Sequence, residues 1–182
     1  MKIGIISDTH DDVANTRKAV EIFEKNKVGL VIHCGDYVFP PLVKEFEKLT
    51  KQGIEFVGVL GNNDGEITGL MKTFEQINGK LLGEIGHLKK DGLEICVYHG
   101  TNSELKDELA KSGKYDVFVS GHTHRKDPDT SESVVGKTVI LNPGTAHRAE
   151  KMSDPRDLFR ESTVMIFDTA TKISLFFDLT QF

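Results

Sequence analysis

Cysteine is scarce in this chain. Cys34 and Cys96 are the only two; they form no Cys-x-x-Cys pair and are too few for the disulfide framework of a small secreted domain, so both read as buried free thiols. Each does stand just before a loop bearing a ligand-type residue, Asp36 or His99, but soft sulfur suits zinc better than the hard-to-borderline metals such residues favour. Long apolar runs are absent too: nothing approaches the roughly 20 residues that span a bilayer, and Met1-Lys2-Ile3 leads straight into a strand-like segment instead of a signal peptide. A cytoplasmic protein without a membrane partner is the expectation. Positive charge is in the minority. A net charge of −5 and a pI near 5.8 argue against a broad basic surface and a stable nucleic-acid complex, although bound metal ions can make one site locally positive. There is no low-complexity tract and no solenoid repeat period.

What the chain does contain is ordinary for a folded protein: 182 residues, 38% of them hydrophobic and 28% charged, which predicts one compact domain over residues 1–182. Residues 2–7 form a β-branched apolar run that stops at Asp8, and residues 13–25 then place Ala19, Val20 and Phe23 at helical spacing. The same pattern of strand, loop and helix repeats with residues 30–34, Gly35-Asp36, and a helix between Pro40 and Lys51 whose face carries Leu42, Phe46 and Leu49. A third strand, residues 55–60, ends at Gly61-Asn62-Asn63-Asp64. Alternation of this kind favours parallel pairing in a layered α/β domain. Further on, residues 80–89 and 93–99 flank an Asp91-Gly92 hairpin turn. A helix over residues 103–111, capped by Asn102 or Ser103, precedes a strand at 116–120. Strands at 133–135 and 138–141, then 163–167 and 173–179, read as further hairpins, with 148–161, which contains Pro155, as a charged surface loop. The pattern predicts two sheets face to face with helices outside.

The Asp and His residues fall at strand ends. Asp8 and His10 follow the first strand, Asp36 the second, Asn62 the third, His99 the strand after the hairpin, and His122 with His124 the next. Taken singly, each cluster has a bland reading as a helix cap, a turn or an exposed histidine. Five strand ends with ligand-type side chains beside glycine, in a chain with seven histidines, are hard to obtain from turn chemistry. Ligands in α/β sheets bind outside the carboxyl ends of strands, so these loops should converge. Carboxylate, imidazole and amide oxygen together suit manganese, iron, zinc, nickel or magnesium. A bridging carboxylate can hold two such ions about 3.5–4 Å apart, the spacing that clamps attacking and leaving oxygens in an in-line displacement.

In order and spacing, Asp8-Thr9-His10, Gly35-Asp36, Gly61-Asn62-Asn63-Asp64, His99-Gly100 and Gly121-His122-Thr123-His124 resemble the calcineurin-like metallophosphoesterases. The small size, the hairpin before His99 and the Leu141-Asn142-Pro143-Gly144-Thr145 segment are most similar to the compact bacterial and archaeal phosphodiesterase branch. The resemblance implies a four-layer double β-sandwich of two mixed sheets flanked by helices. It also implies two divalent ions, with manganese the first choice and nickel, zinc, iron and magnesium behind it. Asp8, His10, Asp36 and His124 would surround the first and Asp36, Asn62, His99 and His122 the second, with Asp36 bridging. The implied activity is hydrolysis of a small phosphodiester by a hydroxide held at this binuclear centre. Many relatives carry histidine where this chain has Asn63, and an amide cannot deliver a proton, so general-acid help worth roughly 10²–10⁴-fold is missing there. Asn63 can still donate to a phosphate oxygen, and Asp64 braces the loop or assists catalysis. His147 and Arg148, after Asn142-Pro143-Gly144, are candidate substrate contacts. His33 and His87 default to structural or surface roles. Competing readings are a phosphomonoesterase, a nucleotide-polyphosphate hydrolase, or a protein-binding scaffold like a retromer subunit of this fold; a homodimer stays open.

Overall fold

The computed structural model describes residues 1–127, 134–148 and 161–181. Its elements in chain order are β1 (Lys2–Ile6), α1 (Val13–Lys25), β2 (Leu30–His33), a 3-10 helix (Pro40–Phe46) running into α2 (Glu47–Thr50), β3 (Glu55–Gly58), α3 (Ile67–Gln76) and β4 (Lys80–Leu81). There follow β5 (Ile85–Lys90), β6 (Leu93–Tyr98), α4 (Ser103–Lys111), β7 (Val117–Val119), β8 (Lys126–Asp127), β9 (Val134–Val135), β10 (Thr138–Pro143), β11 (Thr163–Asp168) and β12 (Ser174–Asp178). One sheet has the order β12-β11-β1-β2-β3-β4 and the other β5-β6-β7-β10-β8, with β9 pairing β10. The strands β1 to β4 run parallel, as do β6, β7 and β10, while β11 returns antiparallel to β1 with Lys2 opposite Asp168. Two mixed sheets flanked by helices are the architecture expected.

Alternation along the strands explains the layers. Ile3 and Ile5 of β1, Leu30 and Ile32 of β2, and Val57 of β3 face Ile95, Val97, Val117, Val119 and Leu141 across the middle of the molecule. Their neighbours of opposite parity, Ile6, Val31 and Phe56, pack under the helices against Phe23, Phe46 and Phe74. On the far side, Cys96, Phe118 and Ile140 pack against Ala110 and Leu105 of α4. Full burial of each such side chain contributes about 1.5–3 kcal/mol, and a one-residue register slip would reverse every face.

Several expectations change in detail. The helix between Pro40 and Lys51 is 3-10 over its first seven residues and opens with the Leu42 amide on the Phe39 carbonyl at 3.0 Å; Pro40 and Pro41 take its first positions, where an amide has no partner within the helix. The strand read at residues 80–89 is two strands in different sheets, and the chain crosses between them at Gly83, whose φ is +83°. Helix α3 was not anticipated, although Ile67, Leu70 and Phe74 recur at helical spacing. Strand β8 has only two residues and leaves no periodic signal. Asp91 and Gly92 adopt φ of 49° and 79°, the two positive values of a type I′ hairpin turn, and Asn102 is the α4 cap, accepting from the Leu105 amide at 3.0 Å. Residue 133 and most of the 148–161 loop, Pro155 included, lie outside the described residues. Among the described residues no helix is long and apolar enough to cross a membrane.

Candidate metal centre

The loops after β1, β2, β3, β6 and β7 meet at one edge of the sandwich. Asp8 enters by extending the parallel pairing of β1 and β2: its amide donates to the Gly35 carbonyl at 3.0 Å, that of His10 to Asp36 at 3.1 Å and that of Asp11 to Tyr37 at 3.3 Å. The two loops are thus zipped together while their residues leave ordinary strand geometry. Asp8, His10, Asp36, His122 and His124 have φ of 53°, 38°, 60°, 67° and 56°. Left-handed backbone at non-glycine residues costs about 1–3 kcal/mol each and persists where the surroundings over-determine it, typically at functional sites. Here it turns five side chains inward from loops too short to do so otherwise. Gly61 and Gly121 allow the close approach, since a Cβ at Gly61 would lie 2.2 Å from Asp36 Oδ1 and one at Gly121 1.9 Å from Ser7 Oγ.

Asp8 is fully buried. Its Oδ2 accepts from the His122 amide at 3.0 Å, whereas its Oδ1 is buried and accepts no hydrogen bond. Facing that oxygen are the Nε2 atoms of His124, His10 and His99 at 3.2, 3.9 and 4.0 Å. An unsatisfied buried carboxylate oxygen is costly, and one ringed by imidazole nitrogens is the environment a divalent cation relieves. Asp36 lies beside it, with Oδ2 3.3 Å from His99 Nε2 and 3.7 Å from His10 Nε2. The His10 and His124 Nε2 atoms are 3.3 Å apart. Two triplets, Asp8 with His10 and His124, and Asp8 with Asp36 and His99, bring their ligand atoms within 4.8 Å of one another. These Asp/His clusters are consistent with divalent metals.

His99 is aimed from behind. Its Nδ1–H donates to the Cys34 carbonyl at 2.7 Å, which fixes the tautomer and leaves Nε2 bare toward the carboxylates, the arrangement metal-binding imidazoles adopt. Asn62 joins from β3, its Oδ1 3.1 Å from His99 Nε2. His122 lies against His99, ring centroids 5.1 Å apart. Electrostatics suit cation uptake. Burial raises the Asp8 carboxyl, but the imidazoles of His124 and His99 outweigh it and leave it below the usual carboxylate range. Burial likewise opposes ionisation of Asp36, and the hydrogen bond and charge of His99 overcome it. Burial holds His10 and His122 toward their neutral, ligand-competent forms. His99 moves the other way: burial lowers it, yet Asp36 and Asp8 raise it further, so a proton competes for its Nε2.

Asp64 and Asn63 are both tied into the loops around Asp36. Asp64 accepts four backbone amides, from Asp36 and Gly61 on Oδ2 at 2.9 and 2.7 Å and from Tyr37 and Val38 on Oδ1 at 2.8 and 2.9 Å. These four bonds hold the β2 and β3 loops together, the bracing role. Burial nonetheless pushes its carboxyl up against those four donors. Asn63 donates both its amides to Asp36, the backbone one to Oδ1 at 2.9 Å and Nδ2 to Oδ2 at 2.8 Å; to serve a phosphate oxygen, Nδ2 has to leave that carboxylate. His147 is brought to the centre, its ring centroid 5.7 Å from that of His10 and its Nδ1 buried without a partner. Arg148 anchors by its backbone amide to Asp12 Oδ2 at 2.9 Å. His87 stacks on Tyr115, outside the centre.

Two clefts border this centre. One, of about 280 Å³, is lined by His10, Asp11, Asp12, Ala14, His147 and Arg148. The other, of about 330 Å³, is lined by Asn62 with Leu60, Ile67, Glu84, Tyr98 and Thr101 among others. Sequence reasoning missed the second cleft because α3, which supplies Ile67, and the crossing at Gly83, next to Glu84, were both unread.

Residues 1–172 match the model of the calcineurin-like phosphoesterase superfamily domain. Over 145 residues the chain is 39% identical to a phosphodiesterase of Methanocaldococcus jannaschii, covering 79% of this chain and 83% of that protein. It is 32% identical over 148 residues to a probable metallophosphoesterase of the same organism, covering 80% and 68% respectively. Among solved structures, an archaeal phosphodiesterase superimposes with a TM-score of 0.82 at 36% identity, over 98% of this chain and 99% of that one. A phosphoesterase from E. coli shares the fold, with a TM-score of 0.64 at 16% identity over 98% and 100% of the two chains.

Proposed function

The chain belongs to the calcineurin-like phosphoesterase superfamily, and from that membership we propose that it hydrolyses a small phosphodiester at a two-cation centre held by Asp8, His10, Asp36, Asn62, His99, His122 and His124. When bound, such a pair of divalent cations supplies Lewis acidity and a nucleophile at neutral pH. Asp8, His10, Asp36 and His124 serve one cation and Asp36, Asn62, His99 and His122 the other. Support comes from the orphaned Asp8 Oδ1 and from His99 Nε2, which faces the oxygen acceptors Asp36 Oδ2 and Asn62 Oδ1. Manganese heads the candidate metals because the donor set mixes imidazole with hard oxygen and has no thiolate.

The observation that favours a diester over a monoester is the pair of clefts, one opening at His10 and the other at Asn62. A diester has two organic arms with phosphorus between them, and each cleft adjoins a different ligand group. On one side His147 and Arg148 offer donors to a phosphate oxygen or an arm; on the other, Leu60, Ile67 and Tyr98 offer an apolar wall beside Glu84 and Thr101. No side chain of the Gly61-Asn62-Asn63-Asp64 loop can hand a proton to the departing alkoxide, since Asn63 is an amide and Asp64 is saturated with amide donors. Diesters with good leaving groups are therefore the better substrates. The described residues act as one catalytic unit, because both sheets contribute ligands. Two buried unpaired thiols suit a cytoplasmic protein.

The test is turnover of bis-p-nitrophenyl phosphate against p-nitrophenyl phosphate by metal-stripped protein refilled with manganese, nickel, zinc, iron or magnesium in turn. Metal-dependent turnover favouring the diester is expected, fastest with manganese. Preference for the monoester would overturn the diester reading, and inactivity of folded protein that has demonstrably taken up each metal would overturn the enzymatic one.

A further inference from the structure

We propose that His33 is a positioning residue for the metal centre: acting through the Thr9 hydroxyl, its imidazole holds the Asp36 carbonyl and so the backbone conformation that aims the Asp36 carboxylate. The inference rests on reading Asp36 as a metal ligand. His33 is the last residue of β2 and is fully buried among Tyr37 and Phe46, its ring stacked on Tyr37 at 3.9 Å and edge-on to Phe46 at 6.0 Å. A core position of this kind would accept any flat ring, yet both ring nitrogens are used. The Gly35 amide donates to Nδ1 at 3.2 Å, so the proton of the neutral ring sits on Nε2 and is donated to Thr9 Oγ1 at 3.2 Å. The Thr9 hydroxyl then has its own proton to give, and it donates to the Asp36 carbonyl at 3.3 Å.

That carbonyl is the hinge of the site. It also receives the His10 amide at 3.1 Å, so one oxygen ties the first ligand loop to the second. Asp36 has φ of +60°, and His10, which binds it, has +38°. Asp64 holds the Asp36 amide and Asn63 its carboxylate, but the carbonyl between needs its own hold: without one, Asp36 is freer to relax toward ordinary backbone and its carboxylate to swing from His99 and His10. The relay supplies that hold in one direction only, because Gly35 fixes the tautomer and the tautomer fixes which way the Thr9 hydroxyl points. A fully satisfied buried network selects one arrangement, whereas removing a single member leaves its neighbours unpaired.

The variants follow from the two nitrogens. His33→Asn keeps an acceptor near the position of Nδ1 and loses the donor to Thr9; His33→Gln places a donor near Nε2; Thr9→Val removes the hydroxyl without changing shape. Manganese binding to metal-stripped protein is measured by titration calorimetry, alongside thermal unfolding of the metal-free forms. His33→Asn and Thr9→Val should each weaken manganese binding by about tenfold, at the low end of what loss of a supporting partner costs. The double variant should be no worse than either single, and His33→Gln should recover most of the affinity. Multiplying effects in the double variant, or no better binding in His33→Gln than in His33→Asn, would mark His33 as packing alone. Should His33→Asn not fold, Thr9→Val leaves the ring in place and decides the matter: wild-type affinity there breaks the relay. A wild-type protein that binds no divalent cation would instead overturn the reading of the centre itself.

Discussion

The loops after β1 and β2 and the loop after β7 carry the same kind of ligand-type residue in the same left-handed backbone, yet they are held very differently. Asp8 and Asp36 are buried to 0% and 2% exposure, their loops zipped to each other by three amides and braced by Asp64 and by the Thr145 hydroxyl, which donates to the Asp8 carbonyl at 2.9 Å. Across the centre, His122 is exposed and His124 half-buried. Their loop is tied down by Asn142, which donates to the Gly121 carbonyl at 2.9 Å and to Thr123 Oγ1 at 3.2 Å, by the Gly121 amide on the His99 carbonyl at 2.9 Å and by the bond from the His122 amide to Asp8. The difference separates two tasks. Charged ligands must be fixed where desolvation is severe, because an unpaired buried carboxylate costs several kcal/mol. An imidazole ligand brings no negative charge to desolvate, so weaker anchoring suffices at the rim and leaves room for substrate to approach.

The strongest way to break the comparison is to remove charge from the rigid side. Asp36→Asn should abolish turnover of an activated diester, by well over the 10- to 100-fold typical of losing a supporting partner, while His122→Ala at the rim should cost less. Equal losses in the two, measured as kcat/KM with manganese in excess, would mean that both sides are equally committed. The next largest effect should fall on stability. Asp64→Ala strips four backbone amides of their acceptor, and at about 1–3 kcal/mol for a stranded buried donor the metal-free protein should lose several kcal/mol in urea unfolding. A loss under about 1 kcal/mol would show that water takes over those amides and that the rigid side is not braced as described.

A third prediction uses pH. Burial lowers the His33 pKa to about 3, against roughly 6.5 for an exposed histidine. Between those values the unfolded chain binds a proton that the folded one refuses, so stability is greatest above pH 6.5 and falls as pH drops toward 3, by about 1.4 kcal/mol per unit. His33→Gln should flatten the slope of unfolding free energy between pH 6.5 and 5 by about one proton. An unchanged slope would mean that the ring is not held neutral.

How far the site was readable from sequence follows the same division. Asp8, Asp36, Asn62 and His99 were legible because each ends a short β-branched run, and Gly61 and Gly121 marked the close approaches by their type. The two sheets were legible from the alternation of strands with helices and from the Asp91-Gly92 turn; within the strands, Ile3, Ile5 and Ile6 or Ile95, Cys96 and Val97 are buried without a break, as in parallel strands covered on both faces. The braces were not. That Asp64 would collect four amides depends on where Val38 and Gly61 meet in space, and no local signal encodes a contact between residues 26 apart. His33 read as filler for the related reason that a buried imidazole and a relay have one spelling. Helix α3 was hidden because Gly69 interrupts its run, and Gly69 is tolerated where a Cβ would meet Pro40 at 2.9 Å.

The smallest effect sharpens the weakly held side. Asn142 is buried to 2% exposure; besides its two donations to the β7 loop it accepts from the Gly144 amide at 3.0 Å. Asn142→Ala therefore removes one of the two donors to the Gly121 carbonyl, which keeps the Thr123 amide at 2.8 Å, and frees the turn that leads to His147. At roughly 1 kcal/mol for each net hydrogen bond lost, the three bonds put the cost to the fold at about 3 kcal/mol, below that of Asp64→Ala. The effect on metal should be selective. On the proposed assignment one cation loses the support of His124 and the other that of His122, yet both keep Asp36, so manganese binding should weaken a fewfold at each site and neither site should vanish. Loss of a whole cation from the binding stoichiometry would mean that the rim histidines, and not the buried carboxylates, decide occupancy, and the division between a rigid charged floor and an adjustable imidazole rim would have to be reversed.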